Sequence, residues 1–244
     1  MSISKRQEQI LHILNDQGFV TVSQLSERTF TSPSSIRRDL TYLHNNGMVE
    51  RTHGGVSLPN PLKGVASFYE RTHKNKAEKR IIAQKAAALL KDGQNIILDS
   101  SSTATFLLPH IAKKNGISVF TNNLSTAAGA IELGIDTYCL GGHGANGSVA
   151  LSGAETYRAL SYIKADMLFF SSQSLSVEGD ISDSTEEENY VRMLMLKSAS
   201  TAVFLCDSEK FNRFSVHRLC NLNDVDIAVF DRPFEGLMTT CTLL

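Results

Sequence analysis

Ser32-Pro33-Ser34-Ser35-Ile36-Arg37-Arg38-Asp39-Leu40-Thr41-Tyr42-Leu43 is the stretch that decides the fold of the first quarter of the chain. Ser32 is a good helix N-cap, and Pro33 follows at the first helical position, where its missing N–H is harmless. Ile36, Leu40 and Leu43 fall at i, i+4 and i+7 and make one buried stripe. If they point inward, Ser34, Ser35, Arg37, Arg38 and Thr41 point outward. An exposed arginine can bind guanine O6 and N7 bidentately or clamp a phosphate, and Ser and Thr near a helix start suit phosphates or base edges.

The neighbouring residues extend the pattern. Upstream, Ile10, Leu11 and Leu14 share a helical face, and Gly18 supplies the stop. Phe19-Val20 reads as short and extended. Thr21-Val22-Ser23-Gln24 has the form of a capping box, which opens a short second helix with Val22 and Leu25 inward. Downstream, Gly47 ends the third helix. Residues 48–56 then read as a strand, a glycine turn and a second strand, carrying Arg51 and His53. Three short helices and a hairpin in this order make a winged helix-turn-helix, with the tight turn between the second and third helices that the motif needs.

Two motifs carry a family resemblance. Ser35-Ile36-Arg37-Arg38-Asp39-Leu40, followed by Arg51-Thr52-His53-Gly54-Gly55-Val56, resembles the DeoR-type family of bacterial repressors of sugar metabolism. That family reads T-I-R-R-D-L in its recognition helix and R-x-H-G-G-[AV] in its wing. The resemblance implies DNA contacts by Ser34, Ser35, Arg37, Arg38, Thr41, Arg51 and His53. Asp39 is expected to pair locally with Arg38 or its neighbours rather than with DNA.

Composition agrees with a globular regulator. The chain has 244 residues, 42% hydrophobic and 20% charged, with a net charge of −1. That is long enough for one large or two modest cores and too apolar for disorder. Residues 1–80 carry twelve Lys and Arg against seven Asp and Glu, so the rest carries a net excess of six acidic charges. A basic head on an acidic body suits an anionic polymer bound at one end. No apolar run reaches the roughly 18 residues of a membrane span. The polar N-terminus lacks a signal-peptide core, so a cytoplasmic protein is expected. The four cysteines form no C-x-x-C pair, and buried reduced thiols are expected rather than a disulfide or metal site.

The expected organisation is a DNA-binding domain over 1–57, a linker over 58–76 and an α/β domain over 77–244. In the last, short apolar runs at 95–98, 117–120, 136–140, 167–170, 202–205 and 227–230 alternate with helices near 77–91, 105–114, 125–133 and 186–200. This alternation predicts a mostly parallel sheet covered on both faces, with the ligand at the carboxyl ends of its strands. Those ends carry Asp99-Ser100-Ser101-Ser102-Thr103, Thr121-Asn122-Asn123, Gly141-Gly142 and Asp207-Ser208-Glu209-Lys210-Phe211. Together they suit a phosphorylated polyol, with the hydroxyl turn and Lys210 on the phosphate and Asp99, Asn122 and Asp207 on hydroxyls. Taken singly, Asp99 and the serines also suit a helix cap.

The resemblance covers this half as well. The family reads D-x-G-T-T at 99–103, T-N-S at 121–123, a G-G turn and D-x-x-K-F at 207–211. It implies a ribose-5-phosphate-isomerase-like sensor fold, a phosphorylated sugar or related effector and a homodimer or homotetramer on a palindromic operator. It also implies effector contacts by Asp99, Ser101, Ser102, Thr103, Asn122, Gly141, Asp207 and Lys210. Three serines depart from the pattern: Ser101, Ser171 and Ser174 stand where the family has glycine. No cofactor or metal is expected. The alternative reading is a sugar-phosphate isomerase-like enzyme fused to a DNA-binding domain, with Asp99, Asp183 or Glu188 as candidate base.

Overall fold

The computed structural model describes residues 4–46, 48–52, 55–58, 68–144 and 148–244. The chain forms two compact units, one up to Lys74 and one from Asn75.

In the first unit, α1 (Lys5–Gln17) starts at a capping box in which Gln7 N–H bonds Ser4 Oγ at 3.2 Å and Ser4 N–H bonds Gln7 Oε1 at 2.9 Å. It stops at Gly18, whose φ of +70° lets its N–H return to the Leu14 carbonyl. After β1 (Phe19–Val20), Thr21 and Gln24 form a second capping box that opens α2 (Val22–Arg28). Ser32 then caps α3 (Pro33–Asn45). The hairpin β2 (Glu50–Thr52) and β3 (Gly55–Ser57) follows, with β3 also pairing with β1 in a three-stranded antiparallel sheet.

Ile36, Leu40 and Leu43 of α3 pack with Ile10, Leu14, Leu25 and Val56 in one core, as the stripe predicts. Each fully buried aliphatic side chain there contributes about 1.5–3 kcal/mol. The unit ends with α4 (Phe68–His73), a helix inside the stretch read as linker.

The second unit runs α5 (Lys76–Ala86), β4 (Asn95–Leu98), α6 (Ser102–Thr105), α7 (Leu108–Ile111), β5 (Ser118–Thr121), α8 (Leu124–Glu132) and β6 (Asp136–Cys139). Next come the hairpin strands β7 (His143–Gly144) and β8 (Leu151–Ser152), then α9 (Ala154–Ser161) and β9 (Ala165–Phe170). The chain continues through β10 (Ser174–Leu175), β11 (Asp180–Asp183), α10 (Glu186–Ser198), β12 (Ala199–Cys206), β13 (His217–Asn221), β14 (Ile227–Phe230) and β15 (Thr242–Leu243).

Seven strands form one parallel sheet in the order β15-β14-β12-β9-β4-β5-β6. Alternate residues of its central strands face opposite ways. Ile96, Leu98, Phe169, Val203 and Leu205 pack under α5 to α8, whereas Ile97, Leu168, Phe170 and Phe204 pack under α9 and α10. This is why these strands read as continuous apolar runs.

Several expectations are corrected. The helix expected near 105–114 is two short turns, α6 and α7, and the helix expected to Lys91 leaves the α form after Ala86. A three-stranded antiparallel sheet, β10-β11-β13, was not expected, nor was the β7–β8 hairpin. Cys139 is exposed on edge strand β6 rather than buried, and only Cys206 is fully enclosed.

Candidate functional site

In the first unit, α3 offers Ser34, Arg37, Arg38 and Thr41 to solvent, with Ser35 half-buried. Arg51 of β2 donates to Thr41 Oγ1 at 3.0 Å, and Thr41 donates to the Arg37 carbonyl at 2.8 Å. The wing is thereby tied to the outward face of α3. His53 lies outside the described residues.

Asp39 corrects the sequence reading. It is buried and takes Arg6 and Gln7 of α1, at 3.4 Å from Gln7 Nε2, rather than a neighbour on its own helix. It fixes α1 against α3, which leaves Arg37 and Arg38 unencumbered by it.

In the second unit, the loops after β4, β5, β9 and β12 gather a set of polar residues under cover. Asp99, Ser100 to Thr103, Asn122, Asn123, Ser171, Ser172 and Asp207 are all buried. Buried polar groups are mostly paired with protein, with water or with a ligand, so each partner matters.

Asp99 is committed to the protein. Its Oδ1 accepts from Ser101 N–H at 3.0 Å, and its Oδ2 accepts from Ser171 N–H at 3.3 Å and from Arg192 Nε at 2.9 Å. Ser101, with φ of −77°, accepts from Ala104 N–H at 3.2 Å and so caps the single turn of α6. No left-handed conformation is needed there, so a serine fits where the family has glycine.

Two lysines flank Asp207. Lys210 Nζ lies 3.2 Å from Asp207 Oδ2 and donates to Ser171 Oγ at 2.8 Å. Lys79, buried on α5, donates to Ser102 Oγ at 3.1 Å. Asn75 donates to Asp207 Oδ1 at 2.9 Å. Burial pushes the Asp207 carboxyl up, but Lys210, Asn75 and Lys79 outweigh it and hold the group below its ordinary value.

Arg192 of α10 was not anticipated. Besides Asp99, it donates to Asp183 Oδ2 at 2.9 Å and to Glu188 Oε2 at 3.2 Å. Burial works against its charge, but Asp183, Asp99 and Glu188 together hold the guanidinium firmly protonated. The three carboxylates that the sequence offered as candidate bases therefore converge on one arginine.

Asn122 donates through Nδ2 to the Leu151 carbonyl at 2.8 Å, and Leu151 N–H returns to the Asn122 carbonyl at 2.7 Å. This ties the β7–β8 hairpin to the end of β5. Gly141, exposed beyond β6, accepts from the Thr156 hydroxyl and stands apart from this buried set. Thr103 Oγ1 and Asn122 Oδ1 are buried with no hydrogen-bond partner among the described residues. No cluster of metal-binding side chains occurs among the described residues.

A winged helix-turn-helix followed by an α/β unit with such a buried polar cluster defines a DNA-binding regulator joined to a sensor. Residues 6–61 match the DeoR-like helix-turn-helix domain, and residues 74–232 match the DeoR C terminal sensor domain. The chain belongs to the DeoR family of transcriptional regulators. It is 32% identical over 235 residues to the HTH-type transcriptional regulator GolR of Listeria innocua, covering 95% of this chain and 91% of that one. It is 30% identical over 237 residues to a putative aga operon transcriptional repressor of Escherichia coli O157:H7, covering 96% and 87%. Among solved structures, ribose 5-phosphate isomerase A of Methanocaldococcus jannaschii is similar at 17% identity over 57% of this chain and 55% of that one, with a TM-score of 0.42.

Proposed function

We propose that this regulator is a repressor of carbohydrate-metabolism genes controlled by a phosphorylated sugar bound at the carboxyl ends of β4, β5, β9 and β12. The observation that carries this reading is the pairing of Lys79 and Lys210 around Asp207 with two buried oxygens, on Thr103 and Asn122, that have no hydrogen-bond partner among the described residues. An anionic group would be held by the lysines and Ser102. Asp99 and Ser101 act here as positioning residues, since their observed bonds shape the loop.

The protein acts by binding and not by catalysis in this account. General base chemistry needs a carboxylate within reach of the substrate carbon and able to take its proton. Arg192 holds Asp99, Asp183 and Glu188, and so disfavours the isomerase alternative. The regulator works in the cytoplasm as a homo-oligomer, a dimer or tetramer. Two heads on a two-fold axis read half-sites about 34 Å or a multiple apart. Ser34, Ser35, Arg37, Arg38, Thr41, Arg51 and His53 face the DNA.

The effector switches the protein only through a difference in affinity between the DNA-competent arrangement and the other. A gel-shift titration against the DNA upstream of its own operon tests the first half of the reading. Tight, sequence-selective binding is expected, with Arg38→Ala costing about 1–3 kcal/mol. Weak binding that ignores sequence and vanishes in moderate salt would refute it.

A further inference from the structure

The parallel sheet ends at β6, whose outer side has no neighbour among the described strands. Its inner side bonds β5, with Leu140 N–H donating to the Thr121 carbonyl at 2.8 Å. Backbone groups alternate along a strand, so Thr137 and Cys139 turn their N–H and C=O groups outward. The next outward carbonyls on either side are already taken. Thr137 Oγ1 donates to the Ile135 carbonyl at 2.8 Å, and Thr156 Oγ1 donates to the Gly141 carbonyl. Open sheet edges are commonly blunted by lysine or proline. β6, with Asp136, Thr137, Tyr138 and Cys139, carries neither.

The helix beside this edge is apolar on its outer flank. Glu132 is the one charged residue of α8, whose Thr126, Ala127 and Ala130 are buried. Gly129 faces α7, since a Cβ there would lie 3.4 Å from Leu108 Cδ1. The opposite flank, at i, i+4 and i+7, is Leu124, Ala128 and Ile131. It is open, with Leu124 48% and Ile131 62% exposed. α7 follows β4 and α8 follows β5, so the flank turned away from α7 looks out beyond β6. Helices apolar on every side belong in an interior. No Lys or Arg occurs between Lys114 and Arg158, so the edge does not suit a nucleic acid or an acidic partner.

We propose that a second copy of this chain covers the edge, with β6 pairing antiparallel to its own copy about a two-fold axis at Tyr138. In that register Thr137 bonds Cys139 of the partner subunit, and Cys139 bonds Thr137 of the partner subunit. All four outward N–H and C=O groups are satisfied, and the same patch serves both protomers. The apolar flanks of the two α8 helices meet on one face of a continuous sheet, where Ala128 lets them approach. The two copies of Asp136 fall four residues apart along the strands, about 13 Å, beyond the screening length of about 8 Å at physiological salt. The inference gives a surface to the homo-oligomer read above and does not depend on the effector.

The test is light scattering on the intact protein, followed by crosslinking. The wild type should form a dimer or a pair of dimers. Ile131→Glu alters an exposed helix position. Thr137→Pro removes one outward N–H and leaves the bonds to β5 in place. Each should weaken self-association by at least about tenfold and lower the mass by one step. Tyr138→Cys in a Cys139→Ser background, oxidised with glutathione disulfide where it is a dimer, should join two chains. A cross-strand pair on the axis brings its Cβ atoms to about 4.5 Å. Cys139→Ser alone should not crosslink. An unchanged mass in folded Ile131→Glu, or no crosslink above the Cys139→Ser control, overturns the inference and leaves the homo-oligomer to another surface. A monomeric wild type overturns the inference and the homo-oligomer reading together.

Discussion

Arg192 is the residue on which the sensor's polar interior turns. It is buried on α10 and bonds Asp99 from the β4 loop, Asp183 from the end of β11 and Glu188 from its own helix. Removing one partner of a buried ion pair leaves uncompensated charge, at a cost of about 3–5 kcal/mol. Arg192→Met should therefore lower the unfolding free energy of the sensor, read by urea titration, by that amount, although methionine fills much of the same volume. A loss below about 1 kcal/mol would mean that the carboxylates relax into solvent and that the network is dispensable. Sequence reading does not find this residue, because Asp99 lies 93 positions from it. In the sequence Arg192 is one charge on a helix whose exposed face is also charged. The same limit applies to Lys79, which reads as one of several lysines in a basic stretch but is buried against Ser102. Asp39 was misread for the same reason: its partners sit on α1, about 30 positions away.

Single elements are much better forecast. α3 is legible because its cap, its Pro33 and its apolar stripe are all local signals that agree. The central strands are legible because burial on both faces makes them uniformly apolar. β10, β11 and β13 are not, since they are short and partly polar, and β11 finds β13 antiparallel across more than thirty residues. β15 was unread because its role is to lie parallel along β14 at the sheet edge, which Leu243 and Leu244 alone do not announce. The turn from β6 into the β7–β8 hairpin shows a glycine with a local reason. Gly142 has φ of +134°, and a Cβ there would meet Thr156 Oγ1 and the Ser152 carbonyl well inside contact distance. Gly142→Ala combines backbone strain with overpacking, each worth about 1–3 kcal/mol. It should destabilise the sensor by at least about 2 kcal/mol in denaturant titration. Full wild-type stability would show that the turn can rearrange freely.

At the scale of the whole molecule, each unit has its own hydrophobic core: one beneath the winged helix, and two on the opposite faces of the parallel sheet. The sequence carries this division through its basic head and acidic body. It also carries the class of function through the paired motifs of α3 and its wing. It does not carry the partners of the buried polar cluster, which are set by tertiary contacts. Three serines that break the family's glycine pattern become intelligible only in the structure. Ser101 caps α6, Ser171 accepts from Lys210 while donating to the Leu205 carbonyl at 2.5 Å, and Ser174 shares a 2.7 Å hydrogen bond with Ser215. They make the site more committed to its own protein than a glycine-lined one, while Thr103 Oγ1 and Asn122 Oδ1 find no hydrogen-bond partner among the described residues.

The proposed function requires that one chain couple sugar-phosphate binding to DNA binding. The direct measurement is the anisotropy of labelled operator DNA titrated with the intact protein, with and without a saturating sugar phosphate that binds it in calorimetry. Operator affinity should change at least about fivefold, the lower end of common allosteric coupling. Lys210→Ala should abolish the change while leaving effector-free operator affinity intact. A sugar phosphate that binds the protein tightly and leaves operator affinity unmoved would contradict it.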